Sequence, residues 1–393
     1  MKNVLLVGFG AVGAICSYSL KRSGKAKVTV VARSNYDIIQ SEGMHYKSLK
    51  YGDIQGWRPD CLCRSVEEAA NQSYSHVLVT TKAIPEILRT PHLLAPLLTA
   101  SYVEKYGLPT FVLLQNGLNI EVDLYNALKA LRPAEEPKLI SAALYIYTKL
   151  IDSNVVEHTD FDRIVMGIYR PTPNITKNTH EETEILQNFE ELFTEGGTEI
   201  VIVPEIQREK FRKNNWNCVM SSVSTLTRFT PTAIFRSPSN HHNQNQNTAD
   251  ERNIEELGGR PALSESQKAT SHIPFSYPPI RDYTIPFLYD TFMEVVNLGQ
   301  ARFPQSEEEK EPVMDSSFAI HALEKNSGVF SKLTSKEKHS MLLDCEKDRP
   351  MEVEVIVGEV VRMGKELNVP MPRMEAIYAL LLVIQMQLLH SSG

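Results

Sequence analysis

The sequence predicts an α/β domain with a mostly parallel, doubly wound sheet, followed by an all-α domain. In the first half, short apolar runs alternate with helical patterns, as in parallel sheets covered by helices on both faces. In the second half the patterns are mostly helical, and 393 residues are too many for one ordinary core. We place the boundary near Pro204, giving an N-terminal domain over residues 1–204 and a helical domain over residues 205–393.

The first predicted strand, Val4–Val7, runs into a glycine-rich loop with G-x-G-x-x-G spacing. In such a loop the first glycine permits a tight turn, the second lets a pyrophosphate approach, and the third lets helix and strand pack closely. The helix N-terminus then attracts the anion. The loop predicts a dinucleotide site, with a merely structural turn as the alternative. Its cofactor-binding residues are Gly8, Phe9, Gly10, Ala11, Val12 and Gly13.

The second predicted strand, Ala26–Ala32, ends at Arg33. Enzymes that use NAD usually place a carboxylate here for the ribose 2′-OH, whereas arginine attracts a 2′-phosphate. Asp37 lies beyond the strand and is interpreted as a helix-start residue. The sequence therefore predicts NADP rather than NAD. The alternative is that Arg33 is an ordinary solvated cation.

Lys82 and Asn116 each follow a further predicted strand, at the edge where doubly wound sheets bind ligands. Strand ends often carry solvated lysines, and Asn-Gly is primarily a turn signal. The remaining predicted strands are His76–Thr80, Thr110–Leu114, Leu139–Tyr147 and Glu199–Val203, with a hairpin from Val155–His158 and Arg163–Gly167. The predicted helices are Ile84–Tyr102, broken at its prolines, Asn119–Leu131 and Glu181–Phe193.

A polar tract at about residues 237–272 interrupts the second half and is predicted to be a disordered insert, because it has hardly an aliphatic residue to bury. Its paired His241 and His242 have no obvious metal-binding partners. Thr334 and Glu337 form a predicted capping box. The predicted helices after the insert are Ile285–Ala301, Ser335–Lys347, Pro350–Asn368 and Arg373–Leu389.

Composition argues against several classes of protein. A net charge of −7 does not suit a protein that tracks nucleic-acid phosphates. Five cysteines indicate a reduced, intracellular protein, and Cys61 and Cys63 are interpreted as free thiols rather than a metal site. Ala379–Leu389 is too short to span a bilayer and is predicted to be a buried helix. With a strand starting at residue 3, no signal peptide is expected, and the expected location is the cytoplasm.

On a regular helix, Lys213, Asn217 and Ser221 would lie on one face at i, i+4 and i+8. Such a stripe is by itself more typical of a solvated helix face than of a functional site. The spacing therefore predicts a shared face and leaves its function open.

The ordered set of motifs resembles the ketopantoate reductase family, also called 2-dehydropantoate 2-reductase. The matching segments are Gly8–Gly13, Thr80–Ala83, Gln115–Gly117, Arg212–Val219 and Ser340–Asp344 followed by Glu352. The resemblance implies a Rossmann domain and a helical domain. It also implies NADPH-dependent reduction of a 2-keto acid to the 2-hydroxy acid, on the route to pantothenate.

The resemblance also implies roles for individual residues. Lys213 would be the general acid, and Glu352 a catalytic residue that also contacts the cofactor near the nicotinamide ribose. Asn116 would contact both cofactor and substrate. Arg33 and Lys82 would bind the 2′-phosphate side of NADPH. The implied substrate-binding residues are Asn116, Lys213, Asn217, Ser221 and Ser340.

Two positions depart from the family pattern. Ser221 replaces a common second asparagine, and Ser335–His339 lacks the asparagine usually found before Ser340. Both positions contact substrate in the family, so the departures bear on the choice of keto acid and not on the type of reaction. The alternatives are a reductase for another 2-keto acid and an NADPH-binding sensor without turnover. The sequence leaves the oligomeric state open, with a homodimer as one alternative.

Overall fold

The computed structural model describes residues 1–172, 177–236, 262–305, 314–331 and 338–391. The chain divides into two compact units. The first contains Met1–Asn214 and Glu354–Glu359, and the second contains Asn215–Val353 and Val360–Gly393. The division falls near the end of the helix that follows Pro204, and no sequence pattern indicated that Glu354–Glu359 belongs with the first unit.

The first unit is built on a sheet of ten strands within the described residues, in the order β4-β3-β9-β8-β7-β6-β1-β2-β5, with β10 paired to β9. Antiparallel pairing joins β8 to β9 and β3 to β4, and the other neighbours are parallel. The predicted mostly parallel, doubly wound sheet is confirmed. The strands are β1 (Lys2–Val7), β2 (Ala26–Val31), β3 (Met44–Ser48), β4 (Gly52–Trp57), β5 (Cys61–Cys63), β6 (His76–Val79), β7 (Thr110–Leu113), β8 (Leu139–Asp152), β9 (Val155–Ile168) and β10 (Glu199–Ile202).

Strand β1 lies inside the sheet, between β6 and β2, and its residues Val4, Leu5 and Leu6 are fully buried. A strand buried on both sides needs an apolar residue at every position, which explains the unbroken apolar run. The helices of this unit are α1 (Ala11–Arg22), α2 (Tyr36–Glu42), α3 (Val66–Ala69), α4 (Thr90–Leu93), α5 (Ala100–Tyr106), α6 (Val122–Leu131), α7 (His180–Thr194) and α8 (Ile206–Trp216), the last belonging to the first unit through Asn214.

The hairpin predicted within residues 155–167 is wrong. Val155–Ile168 is one continuous strand, β9, and the hairpin joins β8 to β9. Polar residues near the middle of this strand have partners in β3 and in the turn that follows β3. The carboxylate of buried Asp162 accepts a hydrogen bond from Lys50 Nζ at 2.6 Å, and His158 Nδ1 lies 2.9 Å from Ser48 Oγ.

The second unit is helical, as predicted. At its centre Leu288, Phe292, Val295 and Val296 of one long helix are fully buried. The helices are α9 (Ser222–Thr227), α10 (Thr232–Phe235), α11 (Glu265–Ala269), α12 (Ile285–Arg302), α13 (Phe318–Phe330), α14 (Ser340–Glu346), α15 (Glu359–Glu366), whose first residue belongs to the first unit, and α16 (Pro372–Ser391). The π-helical turns Asn217–Ser221 and Ile280–Thr284 belong to this unit, and a further π-helical turn, Glu354–Gly358, belongs to the first unit.

The predicted disordered insert extends too far toward the C-terminus. Helix α11 lies inside it and begins with a capping box between Ser264 and Gln267. Thr270, still within the predicted insert, is 2% exposed. The polar composition concealed this short capped helix. Residues 237–261, including the histidine pair, and the predicted capping box of Thr334 and Glu337 lie outside the described residues.

The C-terminal helix α16 buries only one stripe of its surface, although the sequence predicted a buried helix. Leu380 and Val383 on the other side are 57% and 64% exposed. By length and hydropathy alone it is the one helix in the described part of the chain that could cross a membrane, a property that core helices of soluble proteins share. The buried stripe consists of Met374, Ile377, Leu381, Gln385 and Leu388.

Candidate functional site

The glycine-rich loop between β1 and α1 has the geometry that the spacing predicts. Gly8 has a φ of +106°, which other residues rarely adopt. A Cβ on Gly13 would lie 2.0 Å from the carbonyl oxygen of Gly8, so helix and strand approach too closely for any side chain. A Cβ on Gly10 would meet no described atom within 4 Å. The backbone at Gly10 is therefore open to a ligand such as a pyrophosphate.

Two side chains hold the carbonyl groups of this loop. Thr80 Oγ1 donates a hydrogen bond to the Gly8 carbonyl at 2.6 Å, and Asn35 Nδ2 donates to the Phe9 carbonyl at 2.8 Å. Phe9 is buried, so it can contribute only its backbone to a cofactor site. Ala11, Val12 and Gly13 form the first turn of α1, where backbone N–H groups lack intrahelical partners. No sequence pattern indicates that Asn35 would hold this loop.

Arg33 and Lys82 lie beside the loop at the carboxyl edge of the sheet. Arg33 follows β2 and Lys82 follows β6, and these strands pair with β1 on its two sides. Both side chains are exposed. Asp37 lies in the first turn of α2, as predicted, and its carboxylate is 2.6 Å from Arg64 Nη2. Because the arginine partly neutralises it, the Asp37 carboxylate repels a nearby phosphate less than an isolated carboxylate would.

Lys213 and Asn116, which are far apart in sequence, meet at the same edge. Lys213 Nζ on α8 donates a hydrogen bond of 2.6 Å to Asn116 Oδ1, in the loop after β7. Gln115 ties this loop to the one after β6, because its Nε2 donates to the Thr81 carbonyl at 2.9 Å. Lys213 Nζ also lies 5.9 Å from the centre of the Tyr145 ring. The structure thus joins the predicted proton donor to the predicted amide.

The π-helical turn Glu354–Gly358 supports both partners of this pair. Gly117 has a φ of +100°, and a Cβ there would lie 2.5 Å from Val355 Cγ2. The Val355 carbonyl accepts a hydrogen bond from Leu118 N at 2.8 Å, and the Ile356 carbonyl accepts one from Asn214 Nδ2 at 2.9 Å. The loop after β7 and helix α8 are therefore held by one short segment from late in the sequence.

A buried ion pair anchors α8 one turn before Lys213. The Lys210 ammonium contacts the Glu121 carboxylate and lies 3.2 Å from Ser141 Oγ. The two charged side chains are only 5% and 2% exposed. Burial lowers the pKa of Lys210, and the charge of Glu121 opposes that shift. This pair could not be predicted from the sequence, since neither residue stands out from the surrounding charges.

The other predicted site residues belong to the second unit. Asn217 and Ser221 lie in a π-helical turn, so the predicted α-helical spacing does not continue through them. Ser221 is buried. Helix α14, whose first residue Ser340 is exposed, packs against this turn. Glu352 is buried, two residues before Glu354.

Among the described residues, no group of three or more His, Cys, Asp and Glu side chains could hold a metal ion. The five cysteines are free thiols. Burial raises the pKa of Cys63 to about 12 and that of the fully buried Cys218 further, so neither thiol is disposed to ionise near neutral pH.

Comparison with known proteins finds two family models in this chain. Residues 4–171 match the model described as ketopantoate reductase PanE/ApbA, and residues 281–385 match the model of its C-terminal part. The family is one of oxidoreductases that act on CH–OH and keto groups. The two matched segments correspond to the sheet unit and to much of the helical unit.

Similar individual proteins cover nearly the whole chain. The uncharacterized protein YDL144C of Saccharomyces cerevisiae is 26% identical, over 100% of this chain and 96% of its own length. The crystal structure of 2-dehydropantoate 2-reductase from Methylococcus capsulatus has a TM-score of 0.65 at 23% identity, covering 98% of this chain and 97% of that one. A ternary structure of D-mandelate dehydrogenase with NADH and anilino(oxo)acetate has a TM-score of 0.64 at 14% identity, covering 98% and 99%. The two solved structures share the fold.

Proposed function

Because the chain belongs to the ketopantoate reductase family, we propose that it uses NADPH to reduce 2-dehydropantoate to pantoate, a step toward pantothenate. The observation that carries the proposal is the contact between Lys213 Nζ and Asn116 Oδ1 at the ligand-binding edge of the sheet. A lysine held by an amide beside a dinucleotide loop suits the reduction of a carbonyl group.

In the proposed reaction Lys213 supplies the proton. Bound NADPH supplies a hydride to C2 of the keto acid, and the C2 carbonyl oxygen gains the proton. An ammonium carries three N–H donors, and the bond to Asn116 occupies one of them. In the reaction the Lys213 ammonium would donate to the carbonyl oxygen, stabilise the negative charge that develops there, and transfer a proton to it. Asn116 orients the ammonium for this step.

The glycine-rich loop would hold the pyrophosphate, and Arg33 and Lys82 would hold the 2′-phosphate. The open backbone at Gly10 and the first turn of α1 fit the first role. The two exposed cations at the ends of β2 and β6 fit the second. Glu352 would lie near the nicotinamide ribose and the reacting carbon, a role that rests on the family motif.

A second candidate substrate is another 2-keto acid. Ser221 is buried in a π-helical turn, where the family commonly has an asparagine, and a hydroxyl offers fewer hydrogen bonds than an amide. Asn217, Ser221 and Ser340 are the residues we propose to contact the substrate. Replacing an amide in such a set changes which hydroxyl and carboxylate groups it can bind.

The test is NADPH oxidation by the purified protein with a panel of 2-keto acids, including 2-dehydropantoate, smaller branched acids and an aromatic acid. We expect 2-dehydropantoate to give the highest kcat/KM, with NADPH preferred to NADH. If another acid gave a higher kcat/KM, that acid would be the substrate, and the proposed type of reaction would be unchanged. NADPH binding without turnover of any acid would support the sensor instead.

A further inference from the structure

A second arginine, Arg64, leaves the same carboxyl edge of the sheet as Arg33. Strands β2 and β5 are parallel neighbours, with Val31 opposite Cys63, and Ala32 N donates to the Cys63 carbonyl at 3.0 Å. Arg64 is the first residue after β5. Since adjacent parallel strands end at the same edge, Arg33 and Arg64 both leave the sheet there.

The guanidinium of Arg64 is held in place from two directions. Its Cζ lies 3.9 Å from the centre of the Tyr36 ring, and its Nη2 donates a hydrogen bond of 2.6 Å to Asp37 Oδ1. Tyr36 is buried, so the ring is a firm support. The Arg64 side chain is nevertheless 58% exposed. A guanidinium has five N–H donors, and the hydrogen bond to Asp37 uses one of them.

We propose that Arg64 is a second contact for the 2′-phosphate of the cofactor, beside Arg33, with Tyr36 and Asp37 fixing its orientation. The proposal rests on the proposed use of NADPH. A planar guanidinium whose orientation is already set loses little conformational freedom when it binds a phosphate. Its charge also offsets that of Asp37, which would otherwise weaken the binding of a doubly charged group.

The alternative is that Arg64 and Asp37 form only a surface ion pair. Exposed ion pairs contribute little to stability, and a pair without contact to the cofactor could affect NADPH binding only by neutralising Asp37. The ratio of the NADPH and NADH dissociation constants therefore tests whether Arg64 favours NADPH, and a variant that also lacks the Asp37 charge tests direct contact. This ratio cancels any general damage to the dinucleotide site.

The experiment measures both dissociation constants by cofactor fluorescence for the wild type and for Arg64→Gln. We expect the substitution to raise the Kd for NADPH about tenfold or more, as for loss of a charge-assisted contact, and to change the Kd for NADH less than about twofold. The matched control is Arg132→Gln, which removes an exposed arginine paired with Glu135 at the end of α6. It should leave both constants unchanged.

The double variant Arg64→Gln/Asp37→Asn separates direct contact from simple masking of Asp37. If Arg64 contacts the phosphate, NADPH binding stays weak in the double variant. The proposed contact would be contradicted if the double variant recovered the wild-type affinity for NADPH. It would also be contradicted if Arg64→Gln weakened the binding of NADPH and NADH equally. A wild-type protein that binds neither cofactor, or binds NADH more tightly, would instead overturn the proposed use of NADPH, and this inference with it.

Discussion

Lys213 is the side chain on which the proposed chemistry depends. Lys213→Met removes both the proton donor and the charge, so we expect kcat to fall by about 10²–10⁴-fold while NADPH affinity is largely kept. Lys213→Arg keeps the charge, but a guanidinium does not release its proton, so kcat should fall similarly with KM less affected. Steady-state kinetics and cofactor titration measure both effects.

The control for Lys213 is Lys129→Met, which removes an exposed lysine paired with Glu136 on the first unit. It should leave kcat and KM unchanged. If Lys213→Met retained more than about a tenth of the wild-type kcat, Lys213 would not be the general acid.

Gly10 and Gly13 should respond oppositely to the same substitution. A Cβ at Gly13 would lie 2.0 Å from the Gly8 carbonyl oxygen, so Gly13→Ala should destabilise the fold by about 1–3 kcal/mol or more, because backbone must move. Gly10→Ala meets no described atom and should lower Tm by no more than a few degrees, yet weaken NADPH binding, because the methyl group occupies the space of the pyrophosphate. Thermal unfolding and cofactor titration distinguish them. Unchanged NADPH affinity in Gly10→Ala would argue against the loop as the pyrophosphate site.

Helix α8 depends on the buried pair of Lys210 and Glu121 for its attachment to the sheet unit. Lys210→Met leaves the Glu121 carboxylate buried without its cation, which should cost about 3–5 kcal/mol of unfolding free energy. Lys210→Met/Glu121→Gln removes both charges and should recover much of this loss. Urea unfolding measures both. The exposed pair of Arg163 and Glu199 is the control, and Arg163→Met should cost less than about 1 kcal/mol. A similarly small effect of Lys210→Met would contradict this account.

Each unit buries a histidine that titrates at acidic pH. Burial lowers the pKa of His76 in the first unit and of His339 in the second from 6.5 to about 4. Below pH 6.5 the unfolded chain binds protons at these positions while the folded chain does not. Stability is therefore fully present above pH 6.5 and is lost as the pH falls toward 4, by about 3 kcal/mol for each group.

The variant that tests this is His76→Phe, which keeps an aromatic ring next to Phe189. Between pH 7 and 4.5, urea unfolding should show a smaller acid-induced loss of stability in the variant than in the wild type, by about 2–3 kcal/mol. Parallel pH profiles for the two proteins would mean that His76 does not remain neutral when folded.

Much of the fold was predictable, for identifiable reasons. Buried parallel strands such as β1 need unbroken apolar runs, and the glycine spacing reflects close approaches that the structure reproduces. Strands β3 and β4 were missed because they are short and carry many polar residues. Two short strands were predicted in place of β9, because polar residues such as Asp162 are typical of a turn. In the structure Asp162 is buried and bound by Lys50.

Only those site residues that lie in short sequence motifs could be predicted. The motifs identified Lys213 and Asn116, and the structure brings the two together. The support from Val355 and Ile356 could not be predicted, because contacts such as that of Asn119 with Glu359, 240 residues apart, leave no local pattern. The roles of Asn217, Ser221, Ser340 and Glu352 rest on family resemblance and remain predictions.

Transfer of a hydride to C2 of a 2-keto acid is the central claim, and isotope tracing tests it most directly. The purified protein is incubated with NADPH deuterated at C4 of the nicotinamide, in separate stereospecific forms, together with 2-dehydropantoate, and the product is examined by mass spectrometry and NMR. We predict one deuterium at C2 of pantoate from one of the two forms, and at least about 100-fold slower formation of this labelled product with Lys213→Met. NADPH oxidation that leaves no deuterium in any 2-hydroxy acid would contradict the account.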